Sequence, residues 1–171
     1  MKRRAFTLLE LSVVLVLVSI LAAMALPRFI NSTAGHRLNA AAVRIVADLS
    51  MAQRHARTTS TSQSIQFEPD KDGYRLPGMA DIDHPGSVYY VQLFAEPYQT
   101  ALVSADFGGD AEIIFDGYGK PDSGGSVVVQ LRHQKKTISV DAQTGRATVG
   151  DVVWEEIPKD PKLPEPPAQI D

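Results

Sequence analysis

Apolar residues are concentrated near the start of this chain. Residues 11–26 contain only two polar side chains, both serines. The apolar residues just before them extend the segment to roughly 20 residues, the length with which an α-helix crosses the hydrocarbon core of a bilayer. The pattern therefore predicts a transmembrane segment at about residues 6–26.

Helical periodicity continues past Pro27. Apolar residues recur every three or four positions and form a single stripe: Ile30, Ala34, Leu38, Ala41, Ala42, Ile45, Leu49, Ala52 and Ala56. This spacing predicts one long helix over residues 6–58, bent at Pro27 because proline removes a backbone donor and its ring clashes with the preceding turn. Only the second half can pack on a small domain, so the first half must find lipid or other helices.

From Thr59 the pattern becomes that of β-strands. Apolar positions alternate around 65–67, a turn follows at Asp70–Gly73, and the alternation resumes at 74–76, which predicts a hairpin. Further strand candidates, separated by turn residues, are SVYYVQLF, TALVSADF, EIIFD, SVVVQLRH, KTISVDA and RATVG. We expect an α+β fold in which antiparallel sheets lie against the helix, with a β-rich domain at residues 59–157.

Composition and charge add three expectations, which concern the C-terminal tail, nucleic-acid binding and the orientation in the membrane. Residues 158–171 hold five prolines in fourteen positions, which predicts an extended, flexible tail. The chain has no cysteine, and its net charge of −3 becomes −6 without residues 1–5 (14 basic, 20 acidic), which does not favour nucleic-acid binding. The basic residues at 2–4 precede the apolar run, so the N-terminus should be cytoplasmic and the domain should lie outside.

Glu10 interrupts the apolar segment. A carboxylate at bilayer depth costs about 2.5–3.5 kcal/mol on insertion scales, and such residues usually serve a function. One ordinary alternative is an anchor carrying a stray acid. Another is a cleaved secretory signal peptide, for which Ala23–Ala25 offers an A-x-A site. Glu10 and the helical stripe that runs past Ala25 both weigh against the signal peptide.

A partner for Glu10 arises if the chain is cut between Ala5 and Phe6. Phe6 then presents a free α-amine, which is a cation in an environment of low dielectric constant. This amine can meet Glu10 of a neighbouring chain when helices bundle side by side with an axial stagger. Charge pairing of this kind would set the register of assembly.

The segment RRAFTLLELSVVLVLVSILAAMALPRF resembles the leader and N-terminal helix of type IV pilins and type II secretion pseudopilins. The resemblance implies a pilin-like fold, residues 1–5 as a leader removed by prepilin peptidase, N-methylation of Phe6, and charge pairing of Glu10 during filament assembly. The family usually has glycine before the cut, where this chain has Ala5. Processing is still expected because alanine is nearly as small.

The later sequence is similar to the minor pseudopilin H (GspH/FimT) group. The features that carry the similarity are an Ala/Arg-rich helix end that runs into a strand, an I-x-F-x-x-x-G stretch at Ile113–Gly119, and V-x-x-x-T-G-R at Val140–Arg146. The resemblance implies a minor pseudopilin of a type II secretion pseudopilus, held in the bacterial inner membrane with its domain in the periplasm. Its expected partners are other pseudopilins, prepilin peptidase, the inner-membrane assembly platform and exported substrate.

Other chemistry is only weakly indicated. The histidines at 36, 55, 84 and 133 lack ligand spacing, and DKDGYR and DGYGKPD lack a full calcium-loop pattern, so we expect no metal, no cofactor and no enzyme activity. DSGGS lies in a glycine-rich turn without the context of a catalytic serine. Two alternatives stay open: a minor type IV pilin for DNA uptake or adhesion, and a secreted binding module.

Overall fold

The computed structural model describes residues 7–81, 84 and 86–155, and it does not describe the side chains of 23–32. Helix α1 spans Leu8–Thr59 and continues through position 27 without interruption. It ends at Ser60, which adopts a left-handed conformation (φ 54°) and donates its N–H to the carbonyl of Ala56. The bend expected at Pro27 stays a prediction. The leader at 1–5 and the tail at 158–171 lie outside the described residues.

The described part of the chain after α1 forms two antiparallel sheets. The strands are β1 (Gln63–Glu68), β2 (Gly73–Ala80), β3 (Val88–Gln92), β4 (Ala101–Asp106), β5 (Glu112–Phe115), β6 (Gly125–Leu131), β7 (Gln134–Val140), β8 (Ala147–Val149) and β9 (Val153–Trp154). The first sheet has the order β3-β2-β1-β5, and the second has the order β4-β6-β7-β8 with β9 also on β7. The predicted α+β fold, with a long helix on antiparallel sheets, is confirmed.

The predicted strands are present with small changes in their bounds. The first hairpin pairs Phe67 with Tyr74, and a short 3₁₀ turn at Pro69–Lys71 connects its strands. The six later segments correspond to β3 through β8. Strand β9 was not predicted from the sequence, because two residues are too few to show a period.

The helical stripe is the face of α1 that packs on the sheets. Its members from Ala34 to Ala56 are all buried, as the spacing predicts. They meet apolar side chains from both sheets, among them Ile65, Tyr74, Phe115 and Val127. One contiguous core therefore joins the second half of α1 to both sheets.

Strand β7 runs in the same direction as α1 and defines two ends of the domain. Near the start of β7, a Cβ at Gly35 would lie 3.4 Å from Oε1 of Gln134, and Lys136 Nζ donates to Asn39 Oδ1 at 2.7 Å. At the other end, Gln53 Nε2 donates to the carbonyl of Thr144 at 2.7 Å. We call the first end proximal, because it lies next to the apolar half of α1, and the second end distal.

Gly125 marks a place where two strands approach too closely for a side chain. A Cβ at Gly125 would overlap the carbonyl oxygen of Asp106 and lie 2.8 Å from Cα of Phe107. We expect Gly125→Ala to destabilise the domain by about 1–3 kcal/mol, because β4 must shift away from β6. Thermal unfolding of the detergent-solubilised chain measures this.

Gly35→Ala is the control, and we expect it to raise the stability of the domain. This glycine lies inside α1, and a Cβ there makes only ordinary contact with Gln134. Alanine in a helix interior stabilises the helix by roughly 0.5–1 kcal/mol relative to glycine. A stable Gly125→Ala protein would show that β4 is not held where the structure places it.

Candidate functional site

The first turn of α1 is organised around Thr7. Thr7 is the N-cap residue, and its Oγ1 accepts a hydrogen bond from the backbone N–H of Glu10 at 3.2 Å. Its carbonyl accepts from the N–H of Leu11 at 3.1 Å. Glu10 therefore occupies the first turn, where a negative charge is favoured by the helix dipole. Ala5 and Phe6 lie outside the described residues.

The apolar half of α1 is not packed against the rest of the described chain. Its large apolar residues between Leu8 and Leu21 are 49–83% exposed. Residues 13–18 are consecutive and all exposed, so they cover more than one full turn and leave no face packed. A helix that is apolar all round is stable only when lipid or other protein surrounds it.

The two serines of this half do not weaken its apolar character. Ser12 Oγ donates to the carbonyl of Leu8 at 2.8 Å, and Ser19 Oγ donates to the carbonyl of Leu15 at 2.7 Å. Both hydroxyl protons are therefore used within the helix. Glu10 is the only ionisable side chain in the described part of this half.

The predicted transmembrane segment includes residues whose side chains the structure does not describe. Within the part of α1 that is fully described, no stretch combines the length and hydropathy of a membrane span.

A buried polar cluster, which the sequence did not reveal, joins α1 to the first sheet. Asp48 is 4% exposed and accepts hydrogen bonds from the hydroxyl of Tyr74 at 2.6 Å and from Tyr89 at 3.2 and 3.3 Å. Nε of Arg44 lies 2.9 Å from the same carboxylate, and the Arg44 guanidinium also contacts the Tyr89 hydroxyl and ring. Neither Arg44 nor Asp48 belongs to the apolar stripe, so the helical spacing did not indicate that Asp48 is buried.

The electrostatics of this cluster follow from its burial. Burial, together with the Asp48 carboxylate, raises the pKa of Tyr74 well above its ordinary value, so its phenol remains a donor. The pKa of Tyr89 is raised for the same reasons. Burial opposes the charge of Arg44, but the contacts with Asp48 and Tyr89 keep its pKa above the usual value.

The glycine-containing stretches Ile113–Gly119 and Val140–Arg146 lie at the distal end, and their turns contact the end of α1. Gln53 Nε2 donates to the carbonyls of Gly119 and Thr144, and Arg57 Nε donates to the carbonyl of Tyr118. Gly119 adopts φ +76°, and a Cβ there would overlap the Arg57 side chain. The two stretches therefore have a structural role: their backbone carbonyls accept hydrogen bonds from α1 and fix the end of the helix against both sheets.

The acidic turns use their carboxylates within the fold. Asp116 Oδ1 accepts the N–H groups of Tyr118 and Lys120, and Asp122 Oδ1 accepts the N–H of Ile114. Asp72 Oδ1 accepts the N–H of Leu102. Across the described residues, no three His, Cys, Asp or Glu side chains are grouped as metal ligands would be.

Comparisons with known proteins agree with this architecture. The prokaryotic N-terminal methylation motif matches residues 1–26. A crystal structure of the Pseudomonas aeruginosa type IV minor pilin FimU is similar to this chain, with 16% identity, a TM-score of 0.50, and coverage of 68% of this chain and 90% of that one. A second crystal form gives 17% identity, a TM-score of 0.48, and coverage of 67% and 93%. No curated protein sequence matches the chain.

The chain combines the prokaryotic N-terminal methylation motif with a pilin-like fold. The fold is carried by α1 and the two sheets, and the methylation motif contains Ala5, Phe6 and Glu10. Membership of the GspH/FimT group stays a prediction, as do the roles of these residues.

Replacement of Ala5 tests the predicted cleavage. We expect Ala5→Leu to leave residues 1–5 attached, because the resemblance implies a small residue before the cut. Intact mass measurement of membrane-purified protein would show the uncut chain, whereas the natural chain would begin at Phe6 with an added methyl group. Ala5→Gly is the control and should be cut at least as well. A natural chain that begins at Leu26 would instead indicate a secreted module.

Proposed function

We propose that this protein is a minor pseudopilin, a non-enzymatic structural subunit of a type II secretion pseudopilus. The observation that carries the proposal is the contrast between the two halves of α1. The residues from Ala34 to Ala56 pack on the sheets along one stripe, whereas the half from Leu8 to Leu21 is exposed on every face. A soluble monomer would not keep such a surface in water.

The apolar half of α1 is covered first by lipid and later by other subunits. Before assembly the helix lies in the inner membrane, with the basic leader on the cytoplasmic side. In the filament, the same surface packs against the helices of neighbouring subunits. Both environments exclude water, so the helix can move from one to the other without exposing its apolar surface.

Pairing of Glu10 with a neighbouring subunit sets the axial register in which the helices assemble. In the membrane or in the bundle, its carboxylate is costly unless a cation meets it. The α-amine of Phe6 on an adjacent subunit, created by cleavage after Ala5, is that cation. The pairing links processing to assembly, because an uncut chain has no amine at this position.

The domain faces the periplasm and contacts other subunits. A minor subunit occupies the tip of the filament, where the distal end of the domain is free to meet exported substrate or to initiate assembly. The partners proposed are other pseudopilins, prepilin peptidase and the inner-membrane assembly platform.

Deletion of the gene in its own host tests this function. We expect secreted proteins to accumulate in the periplasm, and the natural chain supplied in trans should restore their export. An epitope-tagged chain should co-purify with sheared filaments. Normal export together with absence from filaments would contradict the proposal.

A minor type IV pilin for DNA uptake or adhesion is the second candidate. The similarity of fold to the minor pilin FimU favours it. In that case the deletion strain would export proteins normally but lose transformation, adhesion or surface pili. A gel-shift assay of the detergent-solubilised full chain with duplex DNA separates DNA uptake from adhesion.

A further inference from the structure

The proximal end of the domain carries exposed aromatic side chains. Phe94 is 62% exposed and Trp154 is 59% exposed. Trp154 lies opposite Gln134 in the β7–β9 pair, and residues that face each other across antiparallel strands project on the same side of the sheet. Gln134 is buried against α1 near Gly35, so Trp154 projects from the helix side of the sheet.

Phe94 belongs to the same end of the domain. The loop that holds it is attached to α1 by a hydrogen bond from Arg37 to Gln99. Phe94, Gln99 and Arg132 border one shallow cleft. We call the set Arg37, Phe94, Arg132, Lys136 and Trp154 the proximal rim.

The basic side chains of the proximal rim are not neutralised by ion pairs. Arg37 donates to the amide oxygen of Gln99, and Lys136 donates to that of Asn39. Arg132 is exposed in the turn between β6 and β7. Among the described residues, no carboxylate forms a salt bridge with any of these three cations.

The carboxylates at this end already have partners. Glu155 pairs with Lys135 at 2.9 Å and accepts from Gln130 at 3.0 Å. Asp72, which borders the cleft, accepts the backbone N–H of Leu102. Glu96 accepts from Gln99 at 3.4 Å. Only Glu155 is paired with a cation, so the three unpaired cations of the proximal rim, Arg37, Arg132 and Lys136, outnumber the two carboxylates beside them, Asp72 and Glu96.

The position of the proximal rim suits the surface of a membrane. Gly35 follows the end of the apolar segment at Leu26 by nine residues, or ~13 Å along a helix. The headgroup layer occupies roughly 6 Å beyond the hydrocarbon. The turn at Leu131–His133 precedes Gln134 and lies nearer to the membrane than Gly35 does. These figures leave Gly35 roughly 7 Å above the headgroup layer when α1 is upright. The length of the side chains and a helix tilt of about 20° close that distance on one side of the domain.

We propose that the proximal rim docks on the anionic lipid headgroups of the membrane that holds α1. Trp154 and Phe94 enter the interfacial layer, where aromatic side chains are favoured, and Arg132, Arg37 and Lys136 bind lipid phosphates. This inference rests on the proposed function, which places α1 in a membrane. Docking fixes the tilt and rotation of the stored subunit, and the subunit must undock when it enters a filament.

Trp154 makes the test direct because it is the only tryptophan of the chain. The mature full-length chain is reconstituted at low density into vesicles of phosphatidylethanolamine with phosphatidylglycerol, or of phosphatidylcholine alone. Each contains a lipid brominated near the top of its acyl chains as a quencher. We expect Trp154 fluorescence to be quenched at least twofold more strongly in the anionic vesicles, and high salt should reduce the difference.

Charge reversal at the proximal rim provides the matched comparison. Arg132→Glu should lower the ratio of docked to undocked protein at least about fivefold, the factor that one basic residue supplies near an anionic surface, and Arg132→Gln should have a smaller effect. Arg54→Glu makes the same charge change at the distal end of α1 and should leave the quenching unchanged. Circular dichroism confirms that each variant is folded.

Flotation separates failure of this inference from failure of the proposed function. Protein that floats with the vesicles but leaves Trp154 unquenched and open to acrylamide overturns the docking while α1 remains anchored. Protein that does not float contradicts both. If Trp154 becomes shielded with increasing protein density and not with lipid charge, another copy of the chain covers the proximal rim, and the inference is wrong.

Discussion

Glu10→Ala is expected to remove this protein from filaments while leaving it in the membrane. Insertion depends on the apolar residues from 8 to 21, which the substitution does not touch, and loss of a charge makes insertion easier. Assembly is different, because the α-amine of Phe6 on the adjacent subunit would be buried without a carboxylate. Breaking a buried pair in this way costs about 3–5 kcal/mol. We therefore expect incorporation to fall at least about a hundredfold.

Sheared filaments and membranes from the same cells, probed for the tagged chain, measure both quantities. Glu10→Gln should fail nearly as severely, because an amide keeps the shape of the side chain but does not neutralise the amine. Ser12→Ala is the matched control, two residues or about half a turn away. Its hydroxyl is already bonded to the carbonyl of Leu8, so incorporation should be unchanged. Normal incorporation of Glu10→Ala would refute the pairing.

Asp48→Ala is expected to produce a large loss of stability in the domain. The carboxylate is the acceptor for the buried hydroxyl of Tyr74 and the partner of Arg44. Its removal leaves a buried donor without an acceptor and a partly buried cation without a partner, which together cost about 3–5 kcal/mol. For a domain of this size, the melting temperature should fall by on the order of 10 °C.

The loss can be measured by near-ultraviolet circular dichroism of the detergent-solubilised chain during heating. Asp48→Asn should be intermediate, since it retains an acceptor oxygen in nearly the same volume. Lys71→Ala removes an exposed ion pair with Glu68 and should leave the melting temperature almost unchanged. Equal effects of Asp48→Ala and Lys71→Ala would show that the buried cluster does not connect α1 to the first sheet.

These two predictions differ in how far the sequence anticipates them. The Glu10 prediction follows from one charge in an apolar run and from the spacing of the leader. The Asp48 prediction could not be made from the sequence, because Asp48 lies at the margin of the helical stripe. Tyr74 and Tyr89 reach it from 26 and 41 residues away. Pattern analysis assigns charged residues to the solvent unless a partner is visible nearby, and here Arg44 was the only local partner.

The β-rich half shows a similar division. Alternation and turn residues predicted β1 through β8, because each strand repeats its period over several residues. The division into two sheets, with β5 beside β1 and β4 beside β6, was not predicted. It depends on which strands meet across long loops, and no local pattern encodes that choice.

The roles expected at residues 5, 6 and 10 stay predictions, and those of Ala5 and Phe6 come from the resemblance to pilins. By itself, the sequence determined the long helix, its apolar stripe, its apolar first half and the single charge at Glu10. These are local properties, set by period, length and charge within one segment of chain. Only the tertiary structure decided that Asp48 is buried, that Gln53 and Arg57 seat α1 on two turns, and that aromatic and basic side chains from distant loops gather at the proximal end. Contacts of that kind arise because the sheets bring together residues far apart in the chain, and their energy depends on burial, which exists only in the folded domain.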